Sequence, residues 1–352
     1  MKILITGGCG FVGSNLAIGL KKKHPNYSIC ALDNLKRRGS ELNLSRLKEH
    51  EVSFIHGDIR NRTDFDEVGE VDLVIDAAAE PSVLAGTQGG LDYLIDTNLN
   101  GTINTLHYAK THDAAFIFLS TSRVYPIQKI SNLSILETET RFSLTDEQSE
   151  NGVTKNGISE QFTLEGERSF YGATKLASEL FVQEYASQGL RTVINRCGVI
   201  SGPYQMGKVD QGVVVLWMAR HYWQQPLSYI GFGGTGKQVR DVLHIDDLLD
   251  LIDWQIHHLD DIAGKKFNVG GGLESSVSLM ELTRLCQEIT GNQININSQL
   301  ENRPGDIPLY LTDNKTITEL SGWSPRRSVK GILENVYYWI DENENSLEKL
   351  LN

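Results

Sequence analysis

Short runs of β-branched and aliphatic residues alternate, along the first half of the chain, with stretches whose apolar positions recur every three to four residues. The runs predict strands over 2–6, 28–32, 52–56, 73–76, 115–119 and 192–195, and the stretches predict helices over 11–23, 98–111 and 171–188. In the first of these helices Val12, Leu16 and Leu20 form one apolar stripe, as a helix lying on a sheet requires. Strands and helices in this alternation predict βαβ units and a parallel sheet covered on both faces. Beyond Arg196 the rhythm loosens into loops containing Gly and Pro, with helices predicted over 213–222, 245–258, 278–290 and 329–341. The expected fold is α/β: a doubly wound parallel sheet built from 1–195 plus 238–264, and a smaller α/β domain built from 196–237 plus 265–352. The segment 143–169 stands apart. It carries Asp146, Glu147, Glu150, Glu160, Glu165 and Glu167 against Lys155 and Arg168, with turn signals at Asn151-Gly152 and Asn156-Gly157, and reads as a long surface loop or lid.

Composition narrows the function. The chain has 352 residues, 40% hydrophobic and 22% charged, an ordinary globular profile long enough for about two domains. A net charge of −12 excludes a general affinity for nucleic acid or anionic membrane surfaces, so an anionic ligand must be met by a local site. Cys9, Cys30, Cys197 and Cys286 form no CxxC pair and no His cluster stands at ligand spacing, so neither a disulfide framework nor a metal site is expected. His257-His258 reads as a solvated pair at a helix end. The N-terminal apolar stretch is too short for a signal peptide, and the longest apolar run, 213–219, is far too short to span a bilayer; a cytoplasmic protein is expected.

The first strand runs into Gly7-Gly8-Cys9-Gly10-Phe11-Val12-Gly13. Gly7 permits a tight turn, Gly10 lets backbone approach a pyrophosphate, and Gly13 allows a helix to pack closely on the strand, while the helix N-terminus offers unpaired N–H groups to phosphate. Asp33, 20 residues beyond Gly13 at the end of the second strand, supplies a carboxylate for ribose hydroxyls and repels a 2′-phosphate. NAD is therefore expected over NADP, with Arg37 and Arg38 nearby weighing the other way. Asp58 and Ile59, after the third strand, either flank the adenine or make a strand-end turn.

Tyr171 and Lys175 stand at i and i+4 near the start of a helix, so phenol and ammonium can address one ligand. A tyrosine with an ordinary pKa near 10 becomes a usable base near neutrality when cations stabilise its phenolate. Thr121, in Ser120-Thr121-Ser122 at a strand end, can hydrogen-bond the same substrate hydroxyl, with Ser122 as its substitute.

The stretch 6–13 (TGGCGFVG), Asp33-Asn34-Leu35, Asn98 with Gly101-Thr102, Tyr171 with Lys175, and Arg240-Asp241 with His244 and Asp246-Asp247 resemble the extended short-chain dehydrogenase/reductases acting on nucleotide sugars. The resemblance runs over nearly the whole chain. Ala79-Glu80-Pro81-Ser82, Glu139-Thr140-Arg141, 157–160, RCGVISGP at 196–203 and GKQVRD at 236–241 are similar, more narrowly, to the CDP-paratose 2-epimerase (CDP-tyvelose 2-epimerase) subgroup.

The resemblance implies a Rossmann-type NAD-binding domain and a nucleotide-sugar-binding domain. It further implies tightly bound NAD, oxidation of the sugar at C2, exposure of the other face of the keto sugar, and return of the hydride. Tyr171 then removes the hydroxyl proton, Lys175 lowers its pKa and holds the nicotinamide ribose, and Thr121 or Ser122 orients the hydroxyl. Phe11, Val12, Asn34, Ala77, Ala78, Ala79 and Asn98 join the cofactor site. Glu80 and Ser82 are placed at the sugar, and Gln238, Arg240, Arg303 and Asp306 at the nucleotide diphosphate, where arginine offers a bidentate fork.

Departures from the family pattern are Ser122-Arg123 for a frequent Asn-Lys, Pro126 for Gly, and Asp76-Ala77 for a common His-Ala. A 4,6-dehydratase needs an acid and a base beside the strand-end Thr; Ser122 and Arg123 supply no carboxylic acid. A 4-epimerase using the same residues remains open, as does a non-catalytic NAD-binding sensor, against which intact Tyr171 and Lys175 count. The resemblance also implies a homodimer or homotetramer, pairing the helices over 98–111 and 171–188.

Overall fold

Apolar runs just long enough for strands, separated by helices of one apolar stripe, assemble in the computed structural model into two units; residues 1–87, 89–207 and 211–351 are described. Strands β1 (Lys2–Thr6), β2 (Ser28–Asp33), β3 (Ser53–His56), β4 (Leu73–Asp76), β5 (Ala115–Thr121) and β6 (Thr192–Cys197) are followed by β7 (Val199–Ser201), β8 (Val239–His244), β9 (Lys265–Val269), β10 (Ser276–Ser278) and β11 (Leu309–Tyr310). The helices that matter below are α1 (Phe11–Lys23), α2 (Thr102–Thr111), α3 (Phe170–Ser187), α4 (Val213–Tyr222), α5 (Ile245–His257), α6 (Leu279–Thr290) and α7 (Val329–Glu342).

The first unit comprises Met1–Val124, Phe170–Arg196 and Leu248–Phe267 and is built on a seven-stranded parallel sheet in the order β9-β6-β5-β4-β1-β2-β3. The order reverses between β1 and β4, the place in a doubly wound sheet where the loops after the two strands part and leave a crevice. All seven residues of β5 are buried, which explains why its sequence is an apolar run rather than an alternation. Leu4, Val74, Phe116 and Phe118 from the sheet pack with Leu106 and Ala109 of α2 and Val182 of α3. Residues Asp96–Gly101 form a π-helical turn leading into α2, so the helix expected over 98–111 begins with a wider turn.

The second unit comprises Tyr125–Ser169, Cys197–Asp247 and Asn268–Asn352. Its sheet runs β7-β8-β10, with β11 also on β8; β7 and β11 lie parallel to β8 and β10 antiparallel. Apolar faces of α4, α6 and α7 form its core around Leu216, Met218, Cys286, Leu333, Val336 and Trp339. Ser278 starts α6 with a reciprocal cap: its Oγ accepts the Glu281 N–H at 3.1 Å while its own N–H donates to Glu281 Oε2 at 3.0 Å.

Three expected boundaries are corrected. Strand β8 belongs to the second unit because its partners β7, β10 and β11 do, which moves the crossover into α5. Strand β9 extends the seven-stranded sheet, although the pattern assigned it to the smaller domain. Residues 125–169 join the second unit: the Tyr125 hydroxyl donates to Asn268 Oδ1 at 2.8 Å, and the Ile158 N–H to the Leu311 carbonyl at 2.8 Å.

The last contact also corrects the lid. Ile158 and Phe162 are buried, and Glu160 accepts the Asn268 N–H and the Thr316 hydroxyl. Both Asn-Gly turns exist; at Gly157 (φ 129°) a Cβ would stand 2.5 Å from the Leu311 oxygen, so only glycine lets this turn dock. Of the pair expected to be solvated, His257 is exposed and His258 is half-buried. His258 stacks on Trp254 at 4.3 Å, and His257 meets Tyr27 at 3.3 Å. No helix among the described residues is long and apolar enough to cross a membrane.

Candidate functional site

The loop between β1 and α1 is shaped by its glycines. Gly7 has φ 62°, and a Cβ on it would stand 2.8 Å from Ala78 Cα, so the loop after β1 and the loop after β4 touch backbone to backbone. A Cβ on Gly13 would fall 2.2 Å from the Gly7 oxygen, which makes Gly13 the residue that lets α1 sit against the turn. At Gly10 a Cβ meets only the Gly7 oxygen within 4 Å, at 3.1 Å. No side chain caps α1, so the N–H groups of Phe11, Val12 and Gly13 point out of the first turn without helical partners. Gly8 was missed by sequence reasoning. Its Cβ would stand 2.5 Å from that of Ala31, a constraint set by β2.

Asp33 ends β2 and accepts the Cys9 N–H at 3.0 Å and the Leu35 N–H at 2.8 Å. Burial pushes its carboxyl up, and these amides pull it back. Burial, with Asp33 beside it, pushes the Cys9 thiol up to about 12, so it is unreactive near neutrality. Asn34 donates to Asp58 Oδ2 at 2.8 Å, and Arg60 grips the same carboxylate at 2.9 and 2.7 Å. Against the upward push of burial these bonds hold Asp58 down at about 2. Asp58 therefore fastens the loop through Arg60 and Asn34, and Ile59 is packed into the core against Gly101.

Asn98 sits on the π-turn with its amide engaged on both sides: Oδ1 accepts the Glu80 N–H at 2.7 Å, and Nδ2 donates to the Glu80 carbonyl at 3.1 Å and to Thr174 at 3.3 Å. It clamps the loop Ala77, Ala78, Ala79 and Glu80 to α3. Glu80 Oε1 accepts the Ser82 N–H at 3.2 Å and Ser82 Oγ the Leu84 N–H at 3.3 Å, the bonds of a folded loop.

Thr121 is the buried last residue of β5, and Ser122 opens the short 3₁₀ turn that follows; α3 packs on both strand and turn. Tyr171 is half-buried on α3. Lys175, one turn further, is 2% exposed, and its Nζ lies 4.0 Å from the centre of the Phe118 ring. One turn beyond, buried Glu179 accepts the Ser120 hydroxyl at 2.5 Å and forms a forked pair with buried Arg196, at 2.7 Å from Nη2 and 3.1 Å from Nε. The recurrence of Tyr171, Lys175 and Glu179 every four residues was visible in the sequence; its partner Arg196 on β6 was not.

The residues expected at the diphosphate lie on the second unit. Arg240 on β8 donates to Asp306 Oδ1 at 2.7 Å, to the Ile307 carbonyl at 2.8 Å and to the Val239 carbonyl at 2.7 Å. Asp306, expected at the substrate, is thus the partner that orients Arg240, and Arg303 opens the turn whose carbonyl accepts the Asp306 N–H. Gln238 is 7% exposed; its Nε2 donates to the Ile230 carbonyl at 3.0 Å, and its buried Oε1 has no protein partner among the described residues.

A cavity of about 450 Å³ opens elsewhere, at the amino ends of β1, β4 and β5 beside Met1, Asp72 and Arg191. Open α/β sheets bind their ligands at the carboxyl ends, where the motif residues stand. Among the described residues His24, Asp253 and His257 come close enough to share an ion, but Lys23 already reaches Asp253 Oδ2 at 3.2 Å.

A family model described as the NAD dependent epimerase/dehydratase family matches residues 3–270. The CDP-paratose 2-epimerase of Salmonella typhi is 32% identical, over 96% of this chain and 99% of that protein. The structure of UDP-glucuronic acid 4-epimerase from Bacillus cereus, in complex with UDP-glucuronic acid and NAD, superposes with a TM-score of 0.79 at 25% identity, over 97% of this chain and 99% of that one. A double mutant of the dTDP-glucose 4,6-dehydratase of Streptomyces venezuelae, with NAD bound, gives 0.79 at 26% identity over 99% and 100%. With the glycine turn, the strand-end Asp33 and the Thr121, Tyr171 and Lys175 set already in view, these matches fix the lineage: the chain belongs to the NAD dependent epimerase/dehydratase family, and its cofactor is NAD.

Proposed function

We propose that the protein is a cytoplasmic nucleotide-sugar epimerase that inverts C2 of a CDP-hexose of the paratose and tyvelose type. The observation that carries this reading is the match to CDP-paratose 2-epimerase, at 32% identity over almost the full length of both chains. It is joined by the absence of a carboxylic acid at positions 122 and 123, which counts against dehydration.

The chain's own groups fit NAD. Gly10 keeps a side chain out of the turn, the uncapped first turn of α1 offers N–H groups to a phosphate, and Asp33 retains acceptor capacity for ribose hydroxyls. When bound, NAD supplies the hydride acceptor and, in the return step, the hydride donor. Tyr171, as phenolate, takes the proton of the substrate hydroxyl and gives it back after the sugar has presented its other face. Lys175 stabilises the phenolate and holds the nicotinamide ribose. Thr121, with Ser122 next to it, hydrogen-bonds the hydroxyl and fixes its direction toward Tyr171. Arg240 and Arg303, through their guanidinium groups, bind the nucleotide diphosphate, and Gln238, whose buried Oε1 is an acceptor, takes a hydroxyl or amine of the nucleoside.

The likeness to UDP-glucuronic acid 4-epimerase favours a second reading, inversion at C4 by the same groups. The two separate on one experiment: CDP-paratose and UDP-glucose, each incubated with the purified protein without added cofactor, are followed by NMR. Inversion at C2 in the first sample alone supports the proposal; inversion at C4 in the second sample alone replaces it with the second reading.

We also propose a homodimer or homotetramer formed through α2 and α3, since Leu180 and Phe181 on α3 are 58% and 41% exposed. Leu180→Glu is expected to lower the mass measured by light scattering to that of one chain; an unchanged mass would place the interface elsewhere.

A further inference from the structure

Asp76 ends β4 with hydrogen-bond donors directed at both of its carboxylate oxygens. In the parallel register of the first sheet Thr6 pairs with Asp76 and Asp76 with Phe118, so the three side chains form one row on the same face, at strand spacings of about 4.8 Å. Asp76 is fully buried. Thr6 Oγ1 donates to its Oδ1 at 2.5 Å, a length typical of a hydroxyl on a charged carboxylate, and Thr102 Oγ1 of α2 donates to its Oδ2 at 2.9 Å. The Ala78 N–H donates to Thr6 Oγ1 at 3.3 Å, completing a chain of donors directed at the carboxylate.

At the other end of the row the Lys175 ammonium lies on the Phe118 ring, 4.0 Å from its centre. A buried carboxylate and a buried ammonium each cost several kcal/mol alone and much less as a pair. The neighbouring charges are otherwise matched: Glu179 by Arg196 and Ser120, Asp33 by the Cys9 and Leu35 amides. Burial pushes the Asp76 carboxyl up, and Lys175, Thr6, Thr102 and the Ala78 amide oppose it.

We propose that Asp76 is a positioning residue for the reaction: its carboxylate is the counter-ion that keeps the Lys175 ammonium charged and fixed beside Tyr171. This rests on the reading of Tyr171 and Lys175 as catalytic groups. Without the counter-ion, Lys175 is a buried cation that surrenders its proton at lower pH, and with that proton goes its support of the Tyr171 phenolate. Thr6 from β1 and Thr102 from α2 bond the carboxylate, and Tyr171 and Glu179 stand one turn to either side of Lys175 on α3.

The test is the pH dependence of kcat/KM for the native enzyme, Asp76→Asn and Asp76→His, with NAD content and thermal unfolding measured on each. Histidine is neutral at alkaline pH and is a second, differently shaped side chain, so it serves where Asp76→Asn does not fold. The alkaline limb is expected to move down by about one pH unit in the neutral variants, read as about a tenfold loss on the falling arm, with NAD retained. A limb that coincides with the native one, activity being lowered equally at all pH values, would overturn the proposal and leave Asp76 a packing residue. Tyr171→Phe run alongside separates the two claims: full activity in that variant defeats the catalytic reading itself, whatever the Asp76 profiles show.

Discussion

The two units hold their polar groups in opposite ways. On the first, Asp33, Thr121, Tyr171 and Lys175 stand at the carboxyl ends of β2 and β5 and on α3, each presented by a regular element. On the second, Arg240 is oriented by Asp306, which lies 66 residues away on a turn between loops. The contrast separates chemistry from recognition. In the proposed function the groups at the proton transfer, Tyr171 and Thr121, sit on rigid elements, where displacement by an ångström is costly. In the same proposal Arg240 recognises the nucleotide diphosphate from β8, but its guanidinium is held by the turn at 303–306, a loop segment that can vary while the sheet stays the same.

Four substitutions sharpen or break that comparison. Tyr171→Phe takes the proton acceptor from the first unit and is expected to lower kcat by about 10²–10⁴ with NAD content unchanged; nearly native turnover would remove Tyr171 from the mechanism. Glu179→Gln leaves Arg196 as a buried charge with a neutral partner. It should cost about 3–5 kcal/mol in chemical unfolding, whereas a cost below ~1 kcal/mol would mean that the strand end is held by packing alone.

Arg240→Ala acts on the second unit and should raise KM about tenfold to a hundredfold with a smaller change in kcat, as loss of uniform binding does. A fall in kcat with KM intact would put Arg240 among the chemical groups and erase the division. The smallest effect is at Asp58, whose carboxyl is held down at about 2 from an ordinary 3.8. A depressed carboxyl adds stability above its unfolded value, and this contribution is lost as pH falls from about 3.8 toward about 2. Asp58→Asn should flatten the stability profile in that window, and an unchanged slope there would show that Arg60 and Asn34 contribute nothing net.

The same contrast governs what could be read from the chain. Gly7, Gly10, Gly13 and Asp33 were legible because a strand, a turn and a helix place them within one stretch of sequence, and Tyr171 and Lys175 because helical spacing alone brings them to one face. Asp76 was visible only as a departure from the family, since its meaning depends on Thr6, Thr102 and Phe118, which the sheet register and α2 bring to it. Asn98, expected at the cofactor, also holds Glu80 and Thr174 through its amide. It stands on a π-turn, a feature that hydrophobic periodicity does not report. Residues 143–169 were misread because their acidic surface conceals two anchors, Ile158 and Phe162, and the acidic residue Glu160 is itself tied to Asn268 and Thr316.

The central claim is that one carbon of the sugar is oxidised and the same hydride is put back. The most direct measurement uses CDP-paratose carrying deuterium at C2, converted in ordinary water without added cofactor. The account predicts an inverted C2 that retains the deuterium; exchange of the label for solvent hydrogen during inversion would contradict it.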